Sequence, residues 1–296
     1  MDNGKKKIGL TKRRNLVGWI FLIPAVLLIC WMSFFPMIRA LLLSFRTGVG
    51  VHMKLAGMYN YIRMLQDKVF IQALFNNFFY LIIQVPIMLL LALGLASMLN
   101  SKDLKFKGLF RTAIFLPCAT SLVSYAIIFR ALFALDGFIN TMLLKFGIID
   151  IPINWLANAG TARAVIILAL IWRWTGYNMV FYLAGLQNIE YNIYEAAKID
   201  GASPFQQFGK ITIPLLKPII LLTAIMSTNG TLQLFDESVN LTNGGPANST
   251  ITMSHYIYKI SFEYSPNFGY ATAMSFLVLI LVAVLAFIQM KVGDKR

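Results

Sequence analysis

Two short clusters of polar side chains interrupt long apolar stretches of this 296-residue sequence. The first, at 172–178, reads Trp-Arg-Trp-Thr-Gly-Tyr-Asn, and the second, at 227–233, reads Ser-Thr-Asn-Gly-Thr-Leu-Gln. Their amide and hydroxyl groups can hydrogen-bond to hydroxyls of a solute, and their aromatic rings can cover its C–H faces. Polar groups inside a membrane are costly, so both clusters are candidates for a solute-binding site. The alternative for Ser227, Thr228 and Gly230 is helix–helix packing, where such small residues are common.

Arg173 is the residue of the first cluster that most needs a partner. An unpaired cation inside a membrane is expensive, so it requires a carboxylate, water or an anionic solute nearby. Asp236 and Glu237, shortly after the second cluster, are the candidate carboxylates within the chain. The sequence leaves two interpretations open, a structural ion pair and a cavity that prefers acidic solutes.

Residues suited to catalysis or metal binding are scarce. The two histidines, His52 and His255, lie far apart and outside the apolar runs, and no run contains paired carboxylates. Cys30 and Cys118 lie inside apolar runs without neighbours at metal-ligand spacing, which is typical of small buried side chains. An ion-coupled carrier would need mid-span carboxylates to bind protons or sodium. The sequence therefore argues against a membrane enzyme and makes an ion-coupled secondary transporter the less favoured kind of transporter.

The elements that must position these residues are membrane spans. Hydrophobic residues make up 58% of the chain and charged residues only 13%, whereas soluble domains carry about a quarter charged residues. A membrane helix needs about 20 mainly apolar residues, and six runs are long enough: 17–43, 73–99, 109–133, 163–185, 213–234 and 268–290. The first is too long for a signal-peptide core and lacks a small-residue cleavage site, so we expect an uncleaved span. The predicted fold class is an all-α integral membrane protein with six transmembrane helices.

Lysine and arginine residues set the predicted orientation. The net charge is +14, and most basic residues outside the spans share one side of the membrane if the N-terminus is cytoplasmic. Both termini are therefore predicted to be cytoplasmic. Because the charges flank spans and do not form one basic face, we expect contact with membrane lipid and no nucleic-acid binding.

Two outer segments carry a pattern of their own. Residues 56–77 place apolar side chains at roughly helical spacing. This pattern predicts either an amphipathic helix at the outer surface or a connector that packs on the spans. Residues 243–246, Asn-Gly-Gly-Pro, predict a tight turn on the outer side.

The longest inner loop, 187–218, has the pattern of two short helices. Ile189, Ile193 and Ala197 recur at four-residue spacing and predict one apolar helix face. Gly201 stands where the first helix should end, because glycine accepts the left-handed backbone conformation that follows a helix.

The second helix of the loop has its own start signals. Ser203 can cap it, Pro204 suits the first turn, and Gln206 completes a capping-box pattern. Pro214 then marks the entry to the fifth span. The sequence predicts a rigid knob on the cytoplasmic side that a partner protein could grip.

The same loop carries a family resemblance. Its segments Glu-Ala-Ala at 195–197, Asp-Gly-Ala at 200–202 and Ile-Thr-Ile-Pro at 211–214 resemble the EAA loop of ABC-importer permeases. The wider context resembles the carbohydrate branch, which is maltose-permease-like and depends on a binding protein. Leu-Leu-Lys-Pro at 215–218 and Leu-Thr-Asn-Gly-Gly-Pro at 241–246 support the match. The resemblance extends from the first span to the last, with one departure at Glu190, where the family usually has proline.

The resemblance implies a fold and a coupling mechanism. The implied fold is that of a type I ABC importer permease, with a basic cytoplasmic tail at 1–15, a transmembrane permease domain at 16–296, core spans at 73–290 and the coupling loop at 187–218. The coupling residues, which would dock into a separate ATPase subunit, are Glu195, Ala196, Ala197, Asp200, Gly201 and Ala202. The chain lacks a Gly-x-x-x-x-Gly-Lys-Ser/Thr phosphate loop, so the partner would use ATP and Mg²⁺ and this chain needs no cofactor.

The resemblance also implies partners and a location. The partners are a second permease subunit of different sequence, an ATPase dimer, an extracellular solute-binding protein that faces the 243–246 turn, and a sugar, with an oligosaccharide favoured. The location is the inner or plasma membrane of a bacterial cell, crossed several times. A permease for a phosphodiester, a peptide or an acidic sugar stays open, because the coupling loop does not define the cargo.

The resemblance places the sugar site in the two polar clusters. An ungapped match gives seven positions, of which Tyr177 and Ser227 keep residue types of the maltose-type site. Three further polar residues of the clusters, Asn178, Asn229 and Gln233, complete the candidate set. The predicted substrate-binding residues are Arg173, Trp174, Tyr177, Asn178, Ser227, Asn229, Gly230, Thr231, Gln233 and Leu234.

Overall fold

The computed structural model describes residues 10–48, 53–101 and 104–293 of the chain. Within these ranges the α-helices are α1 (Leu10–Ile29), α2 (Phe35–Ser44), α3 (Tyr59–Gln66), α4 (Lys68–Asn100), α5 (Lys107–Ala119), α6 (Leu122–Leu132), α7 (Phe138–Lys145), α8 (Ala159–Gln187), α9 (Tyr191–Ile199), α10 (Pro204–Gln207), α11 (Ile213–Leu232), α12 (Met253–Tyr258) and α13 (Phe268–Gly293). Two short strands, β1 (Arg46–Thr47) and β2 (Lys54–Leu55), pair in antiparallel fashion. Residues 1–9 of the predicted tail and His52 lie outside the described residues.

The helices supply the predicted spans. Within the described residues, five are long and apolar enough to cross a membrane: Val17–Ser44, Lys68–Asn100, Ala159–Gln187, Pro204–Leu232 and Phe268–Gly293. The pair α5 and α6 makes a sixth if it is counted as one bent span. Short π-helical turns join α1 to α2 and α10 to α11. The all-α membrane fold is therefore as predicted, with five or six candidate spans among the described residues, and the cytoplasmic orientation of the termini stays a prediction.

The span predicted at 109–133 is not straight. The chain bends by 98° between α5 and α6. Thr120 and Ser121 adopt extended backbone angles at the bend. The Thr120 hydroxyl donates a 2.7 Å hydrogen bond to the Pro117 carbonyl, a local bond that competes with continued helix. The prediction of one regular helix here was wrong because hydropathy alone does not register such a break.

α8 lies at the centre of the packing, between α4 and α5. Small residues of α4, including Ala92 and Ala96, pack with Met179 and Tyr182 of α8 in one buried cluster. At the crossing with α5, a Cβ added to Gly176 would collide with the backbone carbonyl of Ile114. The helices therefore approach closely because small residues lie at their contacts, as is common inside membranes.

The first span packs differently from the others. None of the most apolar part of Val17–Ser44 is buried within the chain, and large side chains such as Trp19, Phe21 and Trp31 are exposed. In a membrane protein such a surface faces lipid or another subunit.

The segment at 56–77 forms a short helix followed by a span. α3 ends at Gln66, and α4 begins at Lys68 after Asp67, whose carboxylate caps it by accepting from the N–H groups of Val69 and Phe70. Met64 of α3 is buried in a cluster with α13. The sequence left open an amphipathic surface helix and a connector packed on the spans. The packed arrangement is seen for Met64, whereas Leu65 is exposed.

Buried polar side chains tie the helix ends together on the side of α3 and α12. The Asn77 amide donates to the carbonyls of Thr231 at 2.8 Å and Leu232 at 3.1 Å, and its oxygen accepts from the Met253 N–H at 2.8 Å. One side chain thus satisfies carbonyls at the end of α11 and an N–H at the start of α12, groups that a helix leaves unpaired.

Candidate solute cavity and coupling loop

A cavity of about 510 Å³ lies among α4, α6, α8, α11 and the segment that follows α11. Its lining is mostly apolar and aromatic with a small number of polar groups, as in typical small-molecule sites. The lining residues are Gln84, Met88, Leu122, Leu170, Trp174, Tyr177, Asn178, Met226, Ser227, Gly230, Thr231, Gln233, Leu234, Phe235, Asp236 and Glu237.

The structure brings eight of the ten predicted substrate residues into this one cavity. They are Trp174, Tyr177, Asn178, Ser227, Gly230, Thr231, Gln233 and Leu234. The two clusters lie on different spans, α8 and α11, and meet only because these helices pack side by side. That these residues contact a substrate stays a prediction.

Arg173 lies outside the cavity lining and holds the bend between α5 and α6. Its guanidinium donates to the carbonyls of Thr120 at 3.0 Å and of Pro117 and Cys118 at 3.4 Å. It also stacks 4.7 Å from the Tyr125 ring centroid. A cation near the C-terminus of α5 stabilises carbonyls that the helix leaves free. Arg173 is therefore a structural residue in this geometry.

The partners of Arg173 differ from those predicted. Among the described residues it makes no ion pair within 4.0 Å with Asp236 or Glu237. Carbonyl oxygens replace the expected carboxylate, because the break at Thr120 presents several of them at the depth of the guanidinium. Sequence patterns could not predict these partners, because the bend leaves backbone carbonyls without helical partners, and residue types do not show where such a bend occurs.

Asn229 also lies outside the cavity. It is exposed on the surface of α11, where its amide oxygen accepts a short hydrogen bond from Gln233. The neighbouring Thr228 accepts a 2.7 Å hydrogen bond from the Gln289 amide of α13. The alternative of helix–helix packing therefore holds for Thr228, whereas Ser227 and Gly230 line the cavity.

Two lining residues of α4 were missed by the sequence analysis. Gln84 accepts a 3.2 Å hydrogen bond from the Thr231 hydroxyl and donates to the Met88 sulfur at 3.1 Å. Asn178 donates to the same sulfur at 3.7 Å. These contacts connect three spans across the cavity wall. The signal was available, because Gln84 is a polar side chain in the middle of an apolar run and such residues are rarely incidental.

The aromatic part of the lining is preorganised. The Trp174 and Tyr177 rings meet edge to face at 5.8 Å, and Tyr177 meets Phe181 in the same way at 5.1 Å. Such pairs are favourable and restrict ring motion. The cavity thus presents a fixed aromatic surface beside the amides of Asn178 and Gln233, a combination suited to a polyhydroxylated solute.

Two carboxyl-bearing residues line the cavity in the segment that follows α11. Asp236 is half-buried, and Glu237 is only 3% exposed. Burial raises the pKa of Glu237, and the negative charge of Asp236 acts in the same direction. The Tyr125 hydroxyl and the Arg173 guanidinium favour the ionised form and partly offset this effect.

The loop at 187–218 folds as its sequence predicts. α9 ends in a glycine turn in which the N–H of Ala202 bonds to the Ala197 carbonyl at 2.9 Å and the N–H of Gly201 to the Lys198 carbonyl at 3.1 Å. Gly201 has a φ of 81°, the left-handed conformation that this motif requires. The predicted helix end is confirmed.

The predicted capping box of α10 is present as well. The Gln206 N–H donates to the Ser203 hydroxyl at 3.3 Å, and the Ser203 N–H donates to the Gln206 side chain at 2.8 Å. Pro204 occupies the first turn. The π-helical turn at Phe208–Thr212 then carries the helix directly into α11.

The surface of this loop is unusually apolar for an exposed segment. Ile199 is 86% exposed and Phe205 is 85% exposed. The apolar face predicted from Ile193 is only partly covered, since Ile193 itself is exposed. Of the predicted coupling residues, Ala197 and Ala202 are half-buried, while the exposed ones are Glu195, Ala196, Asp200 and Gly201. Large exposed apolar side chains of this kind are typical of interaction surfaces.

The predicted turn at 243–246 is also present. Asn243 and Gly244 adopt positive φ values of 49° and 78°, and the Gly245–Pro246 peptide bond is cis. The Thr250 hydroxyl bonds to the Gly245 carbonyl at 2.7 Å. Asn243 and Ala247 remain exposed, so the turn has a fixed shape with an accessible tip.

A cavity lined by several spans and joined by one long helix to an exposed, capped loop is the architecture expected of a membrane permease subunit. Residues 61–296 match the family described as the binding-protein-dependent transport system inner membrane component, and the chain belongs to this family. It is thus a multi-pass transport subunit and not an enzyme.

Curated relatives extend over almost the whole chain. The chain is 52% identical to the lactose transport system permease protein LacF of Rhizobium radiobacter, over 97% of both chains. It is 35% identical to the arabinooligosaccharides transport system permease protein AraP of Bacillus subtilis (strain 168), over 95% of this chain and 89% of the relative. It is 30% identical to the trehalose/maltose transport system permease protein MalF of Thermococcus litoralis, over 100% and 99%.

Solved structures share the fold. A chain of a bacterial ABC transporter involved in the import of the acidic polysaccharide alginate superposes with a TM-score of 0.84, covering 96% of both chains at 22% identity. The same transporter in complex with its alginate-bound periplasmic protein gives a TM-score of 0.80. The ABC importer permease fold predicted from the sequence is confirmed.

Proposed function

We propose that this chain is the transmembrane permease subunit of an ATP-driven sugar importer in the inner or plasma membrane of a bacterium. It forms part of the translocation path and couples that path to a separate ATPase dimer through the loop at 187–218. A second permease subunit of different sequence completes the path, and an extracellular solute-binding protein delivers the sugar. The relatives named above are permeases for lactose, arabinooligosaccharides and trehalose or maltose, which supports a sugar as the cargo.

One observation carries the coupling mechanism. The span Pro204–Leu232 runs from the second helix of the exposed loop to the cavity, with the π-helical turn at Phe208–Thr212 as a part of it. Ser227 lies about 20 residues after the end of α10, which corresponds to about 30 Å along a helix. A force on α10 therefore reaches the cavity through one continuous helix, and no flexible link lies between them.

The exposed surface of the loop fits a protein partner better than solvent. Ile199 and Phe205 project apolar side chains beside the charged residues Glu195 and Asp200. An apolar centre with a polar rim is the usual composition of a docking site. When the ATPase dimer closes on ATP and Mg²⁺, movement of the bound loop would rock α11 against α8 and open the cavity to the other side.

The experiment is reconstitution in liposomes of this chain with its partner permease, ATPase and binding protein. Lactose uptake should require ATP and every subunit. Replacing Phe205 by Asp should abolish uptake while the permease pair still assembles, because the substitution charges the docking surface without touching the cavity. Replacing Phe262, which is also exposed at 68% and lies far from the loop in sequence, is the matched control. Sugar uptake by this chain alone, without ATPase, would refute the proposed function.

A further inference from the structure

The helices α8 and α11 contact each other directly on the loop side of the cavity. A Cβ added to Gly185 of α8 would collide with the side chains of Leu216 and Ile219 of α11. About one turn closer to the cavity, the hydroxyl oxygens of Tyr182 and Thr223 lie 2.8 Å apart and share a hydrogen bond. Tyr182 is 0% exposed and Thr223 is 1% exposed. The two helices therefore cross at a tightly packed point that excludes solvent.

The direction of the hydrogen bond between Tyr182 and Thr223 follows from a second contact of the threonine. The Thr223 hydroxyl donates to the carbonyls of Ile219 and Ile220 in its own helix, each at 3.0 Å. A hydroxyl group has a single proton to donate, so Thr223 accepts the bond from Tyr182. Removing the threonine oxygen would leave the buried tyrosine hydroxyl without this acceptor, and an unpaired buried hydroxyl is costly.

The contact between Tyr182 and Thr223 lies between the loop and the cavity on both helices. On α8, the cavity residue Tyr177 precedes Tyr182 by five positions, and α8 then continues toward the loop. On α11, which runs in the opposite sense along the chain, the cavity residue Ser227 follows Thr223 by four positions. The contact is thus about one helical turn from the cavity.

A second pair of the same kind joins the loop to α11. The hydroxyls of Tyr194, on α9, and Thr212, directly before α11, lie 2.9 Å apart, and Thr212 is buried. Tyr194 stands next to Glu195, the first of the predicted coupling residues. Thr212 precedes Thr223 by 11 positions, which corresponds to about three helical turns and about 16 Å. Both threonines therefore lie on nearly the same side of α11.

We infer that the contact between Tyr182 and Thr223 is the fulcrum on which α11 turns against α8, and that the contact between Tyr194 and Thr212 attaches α9 to the loop-side arm of α11. The inference rests on the proposed function and deepens it. It assigns positioning roles to four residues for which the sequence patterns predicted none.

The physical basis is that this crossing resists sliding more than it resists turning. A shift of α11 along α8 would break the buried hydrogen bond and place a residue with a Cβ where Gly185 now meets Ile219. A small turn about the contact preserves both interactions. Hydrogen bonds are electrostatically stronger in a low-dielectric interior than in water, so the turn is the less costly motion.

A fulcrum at this place converts movement of the loop into movement of the cavity wall. Thr212 lies on the loop side of the contact, whereas Ser227 and Thr231 lie on the cavity side. Displacement of the loop-side arm in one direction therefore moves the cavity-side arm in the other. Because the hydrogen bond of Tyr194 ties α9 to Thr212, both helices of the loop act on the same arm.

The test measures lactose imported per ATP hydrolysed by the assembled importer in liposomes. T223V and Y182F each remove the buried hydrogen bond and nearly keep side-chain shape. Each should lower the ratio by up to about fivefold, the factor that corresponds to one net hydrogen bond. The affinity of the permease for lactose should stay unchanged, since neither residue lines the cavity. T223S, which keeps the hydroxyl, should retain the wild-type ratio.

Two further variants test the pairing. Y182F combined with T223V should have no larger effect than either single substitution, because both remove the same bond. Y194F should also lower the ratio, because it detaches α9 from the arm.

The matched control for the threonine is T272V in α13. The Thr272 hydroxyl donates to the carbonyls of Phe268 at 2.8 Å and Gly269 at 3.0 Å, the same pattern that Thr223 makes within its own helix. Y59F, at a tyrosine that is 55% exposed, is the control for the tyrosine variants. Both controls should keep the wild-type ratio.

A wild-type ratio in T223V and Y182F overturns the fulcrum, as does an equal effect of T272V. If import and ATP hydrolysis instead fall in parallel, together with the unfolding temperature, the contact only stabilises the fold and the inference is overturned as well. Failure of the wild-type importer to take up lactose with ATP overturns the proposed function. ATP-driven uptake with unaltered ratios in the variants overturns the fulcrum alone.

Discussion

The Arg173 guanidinium lies 3.0 Å from the carbonyl oxygen of Thr120, at the point where the chain turns by 98° between α5 and α6. The contact gives the guanidinium a backbone hydrogen-bond partner and stabilises the bend between α5 and α6. It also leaves the cavity without a positive charge of its own.

Replacing Arg173 by Gln should destabilise the folded protein, because carbonyls at the corner lose their donor. We expect a loss of about 1–3 kcal/mol, measured by thermal unfolding of the purified complex in detergent. Arg130→Gln, on the exposed side of α6, is the control and should have little effect. Unaltered stability of the Arg173 variant, together with changed selectivity between neutral and acidic sugars, would instead place this residue at the solute.

Replacing Gly176 by Ala should separate α8 from α5, because the new Cβ collides with the Ile114 carbonyl. Overpacking of this kind costs about 1–3 kcal/mol. Gly94→Ala is a matched control in α4, where no atom lies within 4 Å of the added Cβ. The control should be neutral or stabilising by up to about 1 kcal/mol, since alanine favours helix. Equal unfolding temperatures for the two variants would contradict the close crossing.

Replacing Gly201 by Ala should impair coupling and leave the cavity intact. The φ of 81° strains any residue with a Cβ, at a cost of about 1–2 kcal/mol, although no atom would obstruct the methyl group. Sugar-stimulated ATPase activity of the reconstituted importer should fall, with unchanged affinity of the permease for sugar. Gly209→Ala, which has open space and no positive φ, is the control. If importers that contain either variant show normal sugar-stimulated ATPase activity, the glycine turn does not determine docking of the loop.

The carboxylate of Asp67 should make stability depend on pH in acid. Burial opposes its ionisation, but hydroxyl donation from Tyr256 at 2.6 Å and Tyr270 at 2.7 Å and two backbone N–H groups outweigh this, so the pKa lies below the ordinary 3.8. A depressed pKa adds stability above pH 3.8, which is lost as the pH falls through the folded-state value.

Asp67→Asn tests this linkage. The variant should unfold at a lower temperature than wild type at pH 7, and the difference should shrink as the pH falls below about 4. Unfolding temperatures between pH 7 and pH 3 give the measurement, with the exposed Asp150→Asn as control. A difference that stays constant over this range would show that Asp67 acts by packing and not by charge.

Local sequence patterns predicted the helix ends within the loop at 187–218. The glycine turn at Gly201 and the capping box of Ser203 and Gln206 depend on neighbouring residues only, so residue types at fixed spacing are sufficient. The apolar runs likewise predicted the spans, because length and hydropathy suffice for a helix in a membrane.

The cavity was predicted in part. Its residues on α8 and α11 stood out as polar groups in apolar runs, but the membership of Gln84 and Met88 depends on how α4 packs beside them. The same packing leaves Asn229 exposed on the surface of α11, outside the cavity. A helix has several faces, and the sequence of one helix does not say which face its neighbours will cover.

The sequence by itself determined the apolar helices, the capped loop and the two polar clusters, since each is encoded within a few adjacent turns of chain. Only the tertiary structure decided the contacts of Arg173 and the residues that line the cavity. The break at Thr120 creates backbone acceptors to which the guanidinium donates, and Asp236 and Glu237 line the cavity without forming an ion pair with Arg173. The hydrogen-bond partners of Arg173 come from residues more than 50 positions away in sequence, because a buried cation hydrogen-bonds to the acceptors that the fold places near it.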